Sequence, residues 1–176
     1  MLRRVLHSEF FGKAHFEHPQ PLPLGQLRAL FDSLDPSHDP ICTPNKNGET
    51  IDELHDRIAY TLYQIVTDLD SDPSQPKTLL ICTHAASMIA IGRALTGKMP
   101  GDADTPDFKA YTASLSRYTR RTFELPGQGP AGQLVKAKND DVYPKVDWKD
   151  FGIKGNWNCV QNGYTDFLSK GAERGW

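Results

Sequence analysis

The sequence predicts an α/β fold, a mostly parallel sheet flanked by helices, and three consecutive segments carry that prediction. Residues 50–68 repeat their apolar side chains at helical spacing, residues 77–83 form a short apolar run, and residues 85–96 resume a helical pattern. Helix, strand and helix in that order, with a strand too apolar to face water, describe helices packed over a sheet.

The first sixteen residues show no clear period. Pro19, Pro21 and Pro23 then impose an extended connector before a short helical stretch over 25–34, because proline disfavours helix in the residue before it. Residues 35–48 carry three more prolines and close on Asn-Gly, which reads as a loop. Thr50 followed by Glu53 matches a capping box, in which side chain and backbone satisfy each other's orphan donors. Ile51, Leu54, Ile58, Leu62, Ile65, Val66 and Leu69 follow as one stripe, so a helix is expected to about Asp68. After the turn-forming DSDPSQP, the run KTLLICT predicts a buried strand over Lys77–Thr83. A helix from Ala85 to Thr96 follows, closed by Gly97 in the left-handed conformation. Residues 111–125 alternate over part of their length and predict a further strand, ahead of a turn-rich stretch and a polar, Trp-containing tail.

Bulk properties narrow the function classes. The chain has 176 residues, a length that suits one domain over 1–176 with a single core. Apolar residues make up 38% before glycine is counted, near the usual share of a folded domain, roughly 45–50% with glycine. Lys+Arg of 20 against Asp+Glu of 22 leaves a net charge of −2, which offers no general attraction to nucleic acid or anionic lipid. Arg117, Arg120 and Arg121 cluster, but on so neutral a chain they read as a solvated face. No apolar run approaches the ~20 residues of a membrane span, and the N-terminus does not resemble a signal peptide. Cys42, Cys82 and Cys159 are odd in number and far apart, which argues against a disulfide framework and for a reducing compartment, cytoplasmic or nuclear. His15-x-x-His18 has the spacing of a metal pair on one helix face, but Pro19 follows at once and no Cys or acid partner is evident, so this pair is not expected to hold a metal.

The chemistry-bearing candidate lies where the predicted strand ends. In Cys82-Thr83-His84-Ala85-Ala86-Ser87 one histidine stands between an apolar strand and a helix opening with two small residues. The first N–H groups of a helix are unpaired and carry the positive end of its dipole, so the spot suits an anion. His84 is placed to donate to such an anion; equally, it serves as a polar residue closing a strand.

Three segments in register resemble the histidine phosphatase (phosphoglycerate-mutase-like) superfamily. LLICTHAASMIAIGRALTG resembles its second-histidine motif, Gly48-Glu49-Thr50 with Arg57 its helix start, and Leu6–Gly12 the segment bearing its acidic proton donor. The tail from Trp157 to Trp176 is similar to fungal members. The resemblance implies a phosphoglycerate-mutase-like fold and a phosphohistidine mechanism acting on a phosphate ester, without metal or other cofactor. It implies catalytic roles for His84, which would stabilise the transferring phosphoryl group, and Glu9, the acid at the leaving oxygen. The phosphate would be bound by His84 and the backbone N–H of Ala85.

One part of the pattern is missing. The superfamily opens with Arg-His-Gly, whose histidine is the nucleophile, and no Arg-His-Gly occurs in these residues. The expectation is therefore an N-terminally truncated, partial domain that is inactive alone, with an open sheet edge where a central strand belongs. A protein partner or self-association through that edge is expected to cover it, with phosphate anion or ester as the small-molecule partner. The alternative is a non-catalytic scaffold or interaction domain of a transcription factor complex. Neither membrane nor direct nucleic-acid binding is expected.

Overall fold

The computed structural model describes residues 22–34, 40–45, 48–74, 76–121, 134–135, 143–155, 157–173 and 175. Two compact units divide the chain, Met1–Thr50 and Ile51–Trp176. Within the first, α1 spans Leu24–Leu30 and buries none of its residues. It starts directly behind Pro23, whose carbonyl accepts from the N–H groups of Gln26 and Leu27.

The second unit is built on two helices, α2 (Ile51–Ser71) and α3 (Ala85–Thr96). Helix α2 runs past the expected Asp68 to Ser71, and Asp72 then turns the chain by accepting from the N–H of Ser74. The buried face of α2 is His55, Ile58, Ala59, Leu62 and Val66, the spacing of three and four that keeps side chains on one side of a helix. Ile51, at the head of the predicted stripe, stays exposed. Helix α3 answers with Ala90, Ile91, Ala94 and Leu95, and Val146, Trp148 and Ile153 complete the core. Small side chains at Ala59, Ala90 and Ala94, all fully buried, let α2 and α3 pack closely.

Gly97 closes α3 at φ 74°, as its sequence position predicts. A Cβ there would stand 2.6 Å from the Gly152 nitrogen and 2.8 Å from that of Phe151. Its carbonyl accepts from Asp150 at 2.7 Å, so the helix end anchors the turn carrying Trp148 and Ile153.

The strands are β1 (Leu115–Arg120), β2 (Leu134–Val135), β3 (Lys145–Val146) and β4 (Trp157–Tyr164). They form two separate antiparallel pairs, β1 with β4 and β2 with β3. In the first, Leu115 faces Tyr164, Tyr118 faces Cys159 and Arg120 faces Trp157, with irregular register around Arg117. The fold is thus mixed helix and strand, but the expected mostly parallel sheet is not seen among the described residues. The strand expected over Lys77–Thr83 is likewise absent: this run joins no ladder, and its large side chains are exposed. A strand exists through its neighbours, and no described residue pairs with this one.

The tail folds back through two glycine contacts. Asn162 bridges to the loop after α3, accepting from Lys109 N–H at 2.9 Å and donating to the Asp107 carbonyl at 3.0 Å. Gly163, at φ 65°, lies so close to Lys109 that a Cβ would meet that residue's own Cβ at 2.6 Å. Further along, Gly175 bridges Tyr111, and Thr112 N–H donates to the Glu173 carbonyl.

Candidate functional site

His84 occupies the N-cap of α3, extended at φ −97° and ψ 164°, and its side chain makes no capping bond. The first helical hydrogen bond runs from Met88 N–H to the His84 carbonyl at 2.8 Å. That leaves the N–H groups of Ala85 and Ala86 directed out of the helix start, as at any uncapped N-terminus. His84 is exposed, and Ala85 is half-buried. Among the described residues no acid or second cation is bonded to His84. Glu9, the expected acid, lies outside the described residues, as do His15 and His18. Of the predicted trio, His84 and Ala85 are therefore adjacent by sequence, and no third group is brought to them.

A cleft lies elsewhere on the second unit. An open cavity of about 760 Å³ sits at the opposite end of α3, lined by Lys98, Asp107, Arg121, Trp157 and Asn158 among others. A twelve-residue helix separates it from His84, roughly 18 Å at 1.5 Å per residue. Two of its charged groups are already engaged. Asp107 pairs with Arg93, and Arg121 donates to Asn158 at 2.6 Å. Cys159 also lines it, and burial pushes that thiol up, away from the thiolate a nucleophile needs. Among the described residues, the cleft presents no activated nucleophile beside a base.

The three arginines of the basic cluster do not act together either. Arg120 bonds Asp70 at 2.6 Å and the Lys154 carbonyl, and lies over the Trp157 ring at 5.9 Å. With Arg121 held by Asn158, two of the three guanidinium groups are spent on the fold. All three cysteines are free thiols. Among the described residues no cluster of three or more His, Cys, Asp or Glu could hold a metal ion, and no helix is long and apolar enough to cross a membrane.

Two buried polar residues were not singled out in the sequence. Arg93, on α3, is bonded to Asp107 through Nε at 3.0 Å and Nη2 at 2.9 Å, and to the carbonyls of Ala103 and Thr105. The signal was available: one cation inside an otherwise apolar helix, ahead of an Asp-rich loop. His55 donates from Nδ1 to the Ile51 carbonyl at 2.7 Å and stacks on Trp148 with ring centroids 6.0 Å apart. Burial holds its pKa below the usual 6.5, and the nearby Arg93 charge acts in the same direction. Its place three residues ahead of Ile58 put it on the buried stripe.

The chain is similar to the transcription factor tau 55 kDa subunit of Saccharomyces cerevisiae. Identity is 26% over 167 residues, covering 89% of this chain. The same stretch is 35% of that subunit, so this chain spans about a third of the relative's length. No family model matches.

Proposed function

We propose that this chain serves as a non-catalytic, protein-binding domain of a transcription factor assembly, and so works in the nucleus. One observation carries the reading: the similarity to a transcription factor subunit extends over 89% of the chain rather than over a short motif. The surroundings of His84 support it, since no described residue joins that ring to make a catalytic set. A scaffold needs the packed pair α2–α3 and its attached strands, not a complete pocket.

The test is affinity purification of the tagged chain from its own cells, with the bound proteins identified by mass spectrometry. Recovery of transcription factor subunits, unchanged in the His84→Ala variant, is the expected outcome. Failure to recover any of them, together with phosphate-ester hydrolysis that His84→Ala abolishes, would sink the reading.

A second reading is favoured by the open N-terminus of α3. There His84 and the Ala85 N–H would bind a phosphate anion or ester, with Glu9 as the acid, and the fold would be completed as a phosphoglycerate-mutase-like parallel sheet with Lys77–Thr83 inside it. Vanadate binding followed through the His84 ring by NMR tests this directly; unperturbed ring signals at saturating vanadate would end it.

A further inference from the structure

Asn-Gly occurs at Asn47-Gly48 and at Asn162-Gly163. The pair is chemically labile, because a glycine nitrogen, with no Cβ beside it, closes readily on the preceding asparagine side chain. At Asn162-Gly163 the fold needs both members. Asn162 is exposed, yet its amide is the bridge to the loop after α3, bonded to Lys109 N–H at 2.9 Å and to the Asp107 carbonyl at 3.0 Å. Gly163 is buried at φ 65°, where a Cβ would stand 2.6 Å from the Lys109 Cβ and 2.9 Å from that residue's carbonyl oxygen. Its N–H donates to Ser116 Oγ on β1 at 3.0 Å. The close approach that requires glycine therefore sets it directly after the asparagine that makes the bridge.

We propose that Asn162 is a deamidation site whose reaction is gated by local opening of this corner of the fold; nothing in this rests on the scaffold reading. The Gly163 nitrogen gives its proton to hydroxide and bonds to Asn162 Cγ. The Cγ–Nδ2 bond breaks, and Nδ2 leaves as ammonia with a proton from water, which regenerates the hydroxide. Water then opens the succinimide at either carbonyl and leaves aspartate or isoaspartate at 162. Nothing is oxidised or reduced: amide and water become acid and ammonia.

Ring closure runs against all three bonds. Its first step needs the proton that Gly163 shares with Ser116. Cγ also turns from planar to tetrahedral, so Oδ1 and Nδ2 cannot both keep their partners on the 107–109 loop. Three hydrogen bonds at the low end of their usual net worth correspond to roughly 10–100-fold slowing. The product cannot reseal. A carboxylate at 162 has no donor for the Asp107 carbonyl, and isoaspartate adds a methylene to the main chain inside β4. Each event therefore releases the 107–109 loop for good and alters the wall of the cleft that Asn162 lines.

The intact chain with Asn47→Gln, which removes the other labile pair, is incubated at mildly alkaline pH, both folded and in urea. Peptide mapping by mass spectrometry follows conversion at 162. The expected result is conversion in urea and roughly 10–100-fold slower conversion in the folded chain. Ser116→Ala should recover a several-fold part of the rate, beyond any change in global stability measured by urea unfolding. Amide exchange of Lys109 should quicken with it, because the same opening frees that N–H. Equal rates in the folded and urea-unfolded chains would overturn the proposal. So would a Ser116→Ala rate equal to the parent's, or one that tracks global stability alone, which would put the gate at unfolding of the whole unit. A chain in which 162 stays an amide even in urea has no such site.

Discussion

The guanidinium of Arg93 grips the Asp107 carboxylate with two nitrogens while its side chain is only 3% exposed, and Asp107 is 22% exposed. A cation so deep in a core is tolerable only when its donors are met. Here Asp107 and the carbonyls of Ala103 and Thr105 meet them. One side chain of α3 thereby fixes the loop that carries Phe108 into the core and receives Asn162 from β4.

Arg93→Ala should therefore destabilise the fold by about 3–5 kcal/mol, the usual cost of removing one partner from a buried ion pair. Arg93→Lys should recover little of it, because a single ammonium cannot match the fork geometry. Urea unfolding followed by circular dichroism measures both. A loss below ~1 kcal/mol for Arg93→Ala, the scale of an exposed pair, would show that the pair behaves as a surface contact.

Gly92 lets Phe108 lie against α3. A Cβ at that position would fall 2.5 Å from the Phe108 ring and 2.8 Å from the Tyr118 hydroxyl. Alanine ordinarily stabilises a helix interior over glycine by roughly 1 kcal/mol. At Gly92 the overlap should reverse the sign, with a net loss of about 1–3 kcal/mol. Gly101→Ala is the control, since a Cβ there meets nothing within 4 Å. A thermal midpoint for Gly92→Ala at or above the parent's would refute the packing account.

Local chemistry made the two long helices legible, and long-range pairing hid the rest. The stripe Ile58, Leu62 and Val66 and the closing Gly97 are properties of consecutive residues, so periodicity and turn geometry find them. Strand β4 is different. WNCVQNGY is polar and weakly alternating, and it becomes a strand because β1, some forty residues earlier in sequence, offers it a ladder. The reverse failure occurred at KTLLICT, whose residues favour a strand but find no described neighbour. At the candidate site, the helix start at His84 was readable for the same local reason. The partners that would make it catalytic come from distant segments, and composition does not say whether they arrive.

Asn162 is held by the fold rather than by any neighbour in sequence, so its loss should be felt fifty residues away. Asn162→Ala removes both bonds to the 107–109 loop and should cost about 0.5–1.5 kcal/mol, the net worth of a hydrogen bond whose exposed groups water can reach. Asn162→Asp keeps the acceptor for Lys109 N–H but sets a carboxylate against the Asp107 carbonyl, and should be the worse of the two. Amide exchange of Lys109 separates them, accelerated in the alanine variant and protected in the aspartate. Equal protection of that amide in the parent and Asn162→Ala would count against the bridge.

His55 makes stability depend on pH in a defined direction. Burial favours its neutral ring, so the folded pKa lies below the 6.5 of an unfolded chain. Above that value both states are neutral and the group adds no slope. As pH falls through it, the unfolded chain takes up a proton that the fold refuses, and stability drops until the folded pKa is reached. The slope from this one group cannot exceed about 1.4 kcal/mol per pH unit. His55→Phe keeps a ring against Trp148 but forfeits the bond to the Ile51 carbonyl. It should be less stable than the parent near neutrality, yet flatter between about pH 6.5 and 5. Chemical denaturation at a series of pH values resolves the two effects. If parent and variant lose stability in parallel over that interval, the acid sensitivity belongs to the carboxylates and not to His55.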